Sequence, residues 1–265
     1  MQTVTTDAFV TIPGELSDAG WQRVLARAPG CAADTPLYAG LIAPPACADG
    51  MYVIGRIAQT LDGRIATLSG QSFWISGEAD ILHTHRLRAL CDAVVVGAGT
   101  VHADDPKLTT RRCAGLSPVR VVIDPERRLG AAYGVFQDPA TLVLAADDVP
   151  GPARLGRAAV LALPRVPGGG LDCAAVLRAL GARGLRRVFV EGGGMTVSRF
   201  IAQSCLDRLH VTIAPLLLGA GIPAFSLPGV DTPQQGRRLE WTPYQLGRDL
   251  LLDVALDRAV QTRSP

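Results

Sequence analysis

Beyond residue 50 the chain alternates between two hydrophobic patterns. Short runs rich in Val, Ile and Leu, each closed by turn-forming residues, read as strands: 51–58, 92–100, 118–124, 141–146, 158–164, 186–190 and 208–218. Between them lie segments with apolar residues three or four positions apart. These predict helices over 77–90, with Ser76 as N-cap and Glu78 and Asp80 in the first turn, over 173–183, and over 196–203. The second of these has Asp172 as its cap, Val176, Leu177 and Leu180 on one face, and Gly184 past its end. The tail, WTPYQLGRDLLLDVAL, reads as an antiparallel hairpin around Gly247 and Asp249. Strands alternating with helices predict an α/β architecture, a mostly parallel sheet with helices on both faces, made mixed by the terminal hairpin.

Residues 1–50 break this rhythm. They hold one predicted helix, 18–28, and a Pro, Ala and Gly-rich linker, PPACADG, so the chain divides into an N-terminal extension (1–50) and a main domain (51–265). A length of 265 residues with 48% hydrophobic and 19% charged composition suits one domain with an appendage. The net charge of +2, with basic residues dispersed, points to a small-molecule partner and away from nucleic acid. No basic segment followed by an apolar one opens the chain, and the longest apolar stretch, 211–225, is broken by Pro and Gly. A cytoplasmic protein without membrane spans is expected.

Candidate chemistry narrows by elimination. Six cysteines are scattered without a C-x-x-C pair, which argues against zinc and disulfide frameworks, and no metal site is expected. Lys107 is the only lysine, so Schiff-base chemistry has a single candidate. His83 and His85 are two apart on a predicted helix and point to different faces, which reads as ordinary surface or core placement. RVPGGG (165–170) reads as a surface connection. Two glycine-rich strand ends remain, VVVGAGTVHADDP and VFVEGGGM, where ligands of such sheets bind. The first lacks the third glycine of the dinucleotide fingerprint, and its Asp104 and Asp105 could simply cap a turn at Pro106. In the second, Gly192, Gly193 and Gly194 offer bare backbone suited to phosphate beside a carboxylate, Glu191, that would repel one.

Three segments in order, 57–77, 85–111 and VFVEGGGM, resemble the reductase domain of the riboflavin-biosynthesis bifunctional deaminase/reductase. The resemblance runs from about residue 51 to the C-terminus. It implies a three-layer α/β/α dihydrofolate-reductase-like fold, a homodimer, and NADPH-dependent reduction of 5-amino-6-(5-phosphoribosylamino)uracil by hydride transfer to the ring-opened imine carbon. Matched motif by motif, Ala58, Trp74, Thr100, Asp104, Gly192, Gly193 and Gly194 would lie along NADPH. Ser72, Arg88, Leu108, Arg111 and Glu191 would contact the substrate, with Arg56 standing where the family often has a phosphate-binding lysine. Asp104 would orient or protonate the imine, or serve position alone.

Other departures are Thr60 in place of a common serine and Pro125 where a serine often touches the cofactor; Arg127 or Arg128 could hold the 2′-phosphate instead. No deaminase signature precedes the reductase region, so a stand-alone reductase is implied. Two alternatives stay open: a diverged paralogue reducing a related pyrimidine or pteridine, and a nucleotide-binding protein without catalysis.

Overall fold

The computed structural model describes residues 10–11, 16–73 and 75–258. The N-terminal part holds β1 (Val10–Thr11), α1 (Asp18–Leu25), α2 (Cys31–Asp34) and α3 (Ala39–Ile42). Next come β2 (Tyr52–Thr60), β3 (Arg64–Thr67), α4 (Glu78–Leu90), β4 (Ala93–Gly97), α5 (Ala98–Asp104) and β5 (Val119–Ile123). They are followed by β6 (Thr141–Ala146), β7 (Arg154–Leu155), β8 (Ala158–Leu163), α6 (Cys173–Gly181), β9 (Arg187–Glu191) and α7 (Gly194–Ala202). The chain closes with β10 (Arg208–Ala214), β11 (Gly221–Pro223), β12 (Trp241–Leu246) and β13 (Asp249–Ala255).

Eleven strands form one sheet in the order β1-β12-β13-β10-β2-β9-β4-β5-β6-β8-β7. From β10 to β8 every neighbouring pair is parallel, while β13 runs antiparallel to β10 and to β12. The central strands are buried on both faces, as their unbroken apolar runs require. Val94 and Val96 of β4 enter a core shared with α1, α4 and α5; Ala93 and Val95 enter the opposite core, against α6 and α7. The mixed, mostly parallel α/β/α arrangement and the C-terminal hairpin agree with expectation.

Several elements depart from it. The N-terminal cap of α4 is Gly77, whose N–H donates to Asp249 Oδ2 at 2.7 Å, and not Ser76. Strand β10 stops at Ala214 because Pro215 cannot continue the ladder. The strand expected over 92–100 ends at Gly97, and its last three residues open the helix α5. The small antiparallel pair β3–β11 had no clear pattern in the sequence.

Residues 1–50 carry more than one helix and a linker. Helices α1 and α3 and the 3-10 turn before α3 place Trp21, Val24, Tyr38, Leu41 and Ile42 in the same core as Leu87 and Leu90 of α4. A Cβ on Gly40 would collide with the Tyr52 ring, so the segment lies directly on β2. Helix α4 is therefore covered on its outer side, and most of its polar residues are buried, several of them with partners. Arg86 lies over the Trp21 ring at 5.3 Å. Tyr38 Oη hydrogen-bonds with His83 Nδ1 (2.9 Å), His83 Nε2 with His210 Nδ1 (3.0 Å), and His210 Nε2 lies 3.2 Å from Asp253 Oδ1. Asp253 in turn pairs with Arg208.

Candidate active site

A cavity of about 890 Å³ opens beyond the carboxyl ends of β2, β9, β4 and β5, where open α/β sheets bind their ligands. Strand β2 brings Arg56 and Ala58, β9 ends in Glu191, α4 turns Thr84, His85 and Arg88 inward, and α5 contributes Thr100 and Asp104. Ser72, Leu108, Arg111 and Gly192 to Gly194 complete the wall. The structure thus gathers the site residues expected from the sequence into one cavity; Trp74 lies outside the described residues.

The three glycines stand side by side for different reasons. Gly192 (φ 76°) and Gly193 (φ 66°) occupy left-handed backbone that leads from β9 into α7. Gly194 has no room for a side chain, because a Cβ there would strike the Ala224 carbonyl oxygen. Gly193 is the N-cap of α7 and supplies no side-chain acceptor, so the N–H groups of Gly194 and Met195 have no hydrogen-bond partner among the described residues and favour an anion at the cleft edge.

Charge in the cleft is mostly paired off. Arg88 grips Glu191 with both arms of its guanidinium, Nε to Oε2 at 2.7 Å and Nη2 to Oε1, and donates from Nη1 to Thr109 O at 2.9 Å. Arg56 is paired with the buried Asp80, whose other oxygen accepts from Thr212 Oγ1 at 2.7 Å. Neither guanidinium is therefore an unpaired cation awaiting a phosphate, and Glu191 is neutralised by its own neighbour. Arg111 makes no ion pair among the described residues. Its Nη1 donates to Thr109 Oγ1 at 2.7 Å, and burial together with the nearby Arg88 lowers its pKa.

The two acids of ADDP diverge. Asp105 takes the left-handed conformation that ends α5 (φ 37°), and its carboxylate accepts from the Gly134 N–H at 2.9 Å, tying α5 to a distant loop rather than capping the turn at Pro106. Asp104 faces the cleft and makes no hydrogen bond among the described residues. Although solvent reaches it, partial desolvation raises its carboxyl above the ordinary range. Leu108 also holds positive φ (53°); its side chain is buried in the core.

Sequence reasoning passed over His85. The ring is buried, lines the cavity, and its Nδ1 accepts from the Arg111 backbone N–H at 3.0 Å. Burial, Arg88 and Arg111 push its pKa down to about 4, so it is neutral near pH 7. Its spacing of three from Arg88 on one helix was the available signal. At the β5 side, Arg127 is consumed by Val149 O (3.0 Å) and Pro152 O (2.9 Å), whereas Arg128 and Arg199 line the cleft without ion pairs among the described residues.

The chain is similar to known proteins over most of its length. Residues 51–249 match the family model described as RibD C-terminal domain. The 2,5-diamino-6-ribosylamino-4(3H)-pyrimidinone 5′-phosphate reductase of Methanothermobacter thermautotrophicus is 38% identical over 213 residues, spanning 77% of this chain and 98% of that protein. Among solved structures, RibD of Acinetobacter baumannii superposes with a TM-score of 0.69 at 25% identity, covering 85% of this chain and 62% of that one. The riboflavin biosynthesis reductase Rib7 of Saccharomyces cerevisiae shares the fold, with a TM-score of 0.63 at 23% identity over 78% of this chain and 90% of that one. A match spanning most of the chain, together with a relative covered nearly end to end, places this protein in the RibD C-terminal domain family, with its dihydrofolate-reductase-like fold.

Proposed function

We propose that this protein is an NADPH-dependent reductase of a 6-(5-phosphoribosylamino)pyrimidine in riboflavin synthesis. The observation that carries the reading is the joining, in one cavity, of the uncapped α7 N-terminus, the Arg88–Glu191 pair and the unpartnered Asp104. The cleft fits a dinucleotide: Gly192 and Gly193 bare the backbone beside the free N–H groups of α7, and Arg128 and Arg199 supply unpaired positive charge. Bound NADPH supplies the hydride.

The chain's own residues bind and orient. Ala58, Thr100 and the glycine run flank the cofactor, while Ser72, the Leu108–Arg111 loop and the Arg88–Glu191 pair form the substrate side. Glu191, held rigid by Arg88, offers its remaining lone pairs to pyrimidine N–H or ribose hydroxyl groups. Arg56 and Arg88 are tied to carboxylates, so Arg111 carries the phosphate. Reduction of the open-chain imine adds the hydride to carbon and a proton to nitrogen. The raised carboxyl of Asp104, facing the cleft, supports a role in orienting the imine or supplying that proton.

The test is NADPH oxidation with 5-amino-6-(5-phosphoribosylamino)uracil and with its 2,5-diamino counterpart, the compound for which the Methanothermobacter relative is named. Turnover of at least one is expected, and Asp104→Asn should lower kcat by about 10²-fold. Unchanged turnover in that variant removes Asp104 from the chemistry. Normal NADPH binding with no turnover of either compound favours a diverged paralogue. NADPH is preferred to NADH through Arg128 and Arg199. Replacing both by Ala should weaken NADPH binding about tenfold, by the loss of charge-assisted contacts, and leave NADH binding nearly unchanged, as read by fluorescence titration. A homodimer is supported by the exposed apolar side chains of Leu61, Leu217 and Ile222 beside the β3–β11 pair, and light scattering checks it. The cytoplasmic setting fits six cysteines without a disulfide and the absence, among the described residues, of a helix long and apolar enough to cross a membrane.

A further inference from the structure

We propose that His85 is a positioning residue: it holds the Leu108–Arg111 loop against α4 so that Arg111 meets the anionic end of the substrate. The inference rests on the functional reading above.

The segment from Leu108 to Arg111 has no regular secondary structure, and it begins with a non-glycine residue in left-handed backbone. Its place is therefore set by a few anchors. Two come from a single face of α4: Arg88 Nη1 donates to Thr109 O at 2.9 Å, and His85 Nδ1 accepts from Arg111 N at 3.0 Å. A third, Thr110 N–H to Ser117 Oγ at 3.1 Å, lies on the outer side.

Of the arginines that line the cavity beside α4, Arg56 and Arg88 are bound to carboxylates, whereas Arg111 makes no ion pair among the described residues. The backbone of the unpaired cation is thus fixed by a buried ring on the cavity wall. An apolar residue at 85 would leave that N–H without its acceptor and free the loop. Acceptance at Nδ1 also sets the tautomer, leaving the proton on Nε2 of the neutral ring. Burial first, and then Arg88, Arg111 and Arg112 outweighing Glu191, keep the ring unprotonated and able to accept.

The test compares His85→Ala, His85→Asn and His85→Gln. Asn can offer an amide oxygen close to the Nδ1 position, whereas Gln reaches toward Nε2. His85→Ala should raise KM for the phosphorylated substrate about tenfold, the loss of one well-placed contact, with NADPH affinity within about twofold of wild type. His85→Asn should recover most of the loss and His85→Gln should not. Adding Arg111→Ala to His85→Ala should cost much less than the two single losses combined, since both act through one contact.

Thermal unfolding of each variant separates folding from function. A lowered melting temperature with unchanged KM overturns the inference, as do equal losses of substrate and NADPH binding. Titration with ribose 5-phosphate needs no turnover. Wild type that binds it while His85→Ala does not upholds the anchor, even if every pyrimidine assay fails and the functional reading falls. Wild type that neither binds it nor turns over substrate overturns both.

Discussion

A methyl group at position 194 would run into the Ala224 carbonyl, whereas at 192 it would meet nothing within 4 Å and only the left-handed backbone resists it. Gly194→Ala should therefore destabilise the fold by about 1–3 kcal/mol through overpacking. Gly192→Ala should cost about 1 kcal/mol of backbone strain and reduce NADPH affinity more than stability. Urea titration and cofactor fluorescence give the two numbers, and equal stability losses would remove the distinction. The sequence displayed these glycines plainly but assigned all three to phosphate. It also set Glu191 beside them as a paradox, which the Arg88 fork resolves: the acid reaches the ligands already neutralised. Such pairings join residues about a hundred positions apart, and no local pattern records them.

Helix α4 shows the same limit at the level of an element. Its span was legible from capping and first-turn acids, but its N-cap is Gly77, whose N–H is held by Asp249, 172 residues away on the hairpin. Ser76→Ala should leave stability nearly unchanged, while Asp249→Ala should cost about 1–2 kcal/mol, the cost of leaving the Gly77 N–H without its acceptor, in chemical denaturation. Asp249→Asn keeps an acceptor and should retain most of that stability. The central strands were found within a residue or two, apart from the carboxyl ends of β4 and β10, which were drawn three and four residues too long, because burial on both faces makes them continuous apolar runs. The short helices α2 and α3 and the pair β3–β11 were missed because three or four residues carry too little periodicity. His85 was missed for a different reason: its acceptor role exists only once a distant loop folds over it.

Across the whole molecule, the buried histidines couple stability to pH. Burial holds His83 well below its ordinary pKa and His85 at about 4, while in the unfolded chain both titrate near 6.5. Below that pH the unfolded state binds more protons than the folded one. Stability is therefore complete above about pH 6.5 and falls as pH drops from there toward 4. The urea midpoint should be higher at pH 7.5 than at pH 5, a window in which ordinary carboxylates stay ionised; a flat profile would contradict the burial of these rings in neutral form.

The row from Tyr38 through His83 and His210 to Asp253 ties four parts of the chain that lie far apart in sequence, and its first member sits before the family-matching segment. That has an evolutionary consequence. Substitution at any one of the four is constrained by the other three, so they should change as a set. A relative that lacks the counterpart of residues 16–42 has no hydroxyl to offer His83 and should carry an aliphatic side chain there. What begins as an added segment becomes, through one phenol, a part the remainder can no longer discard.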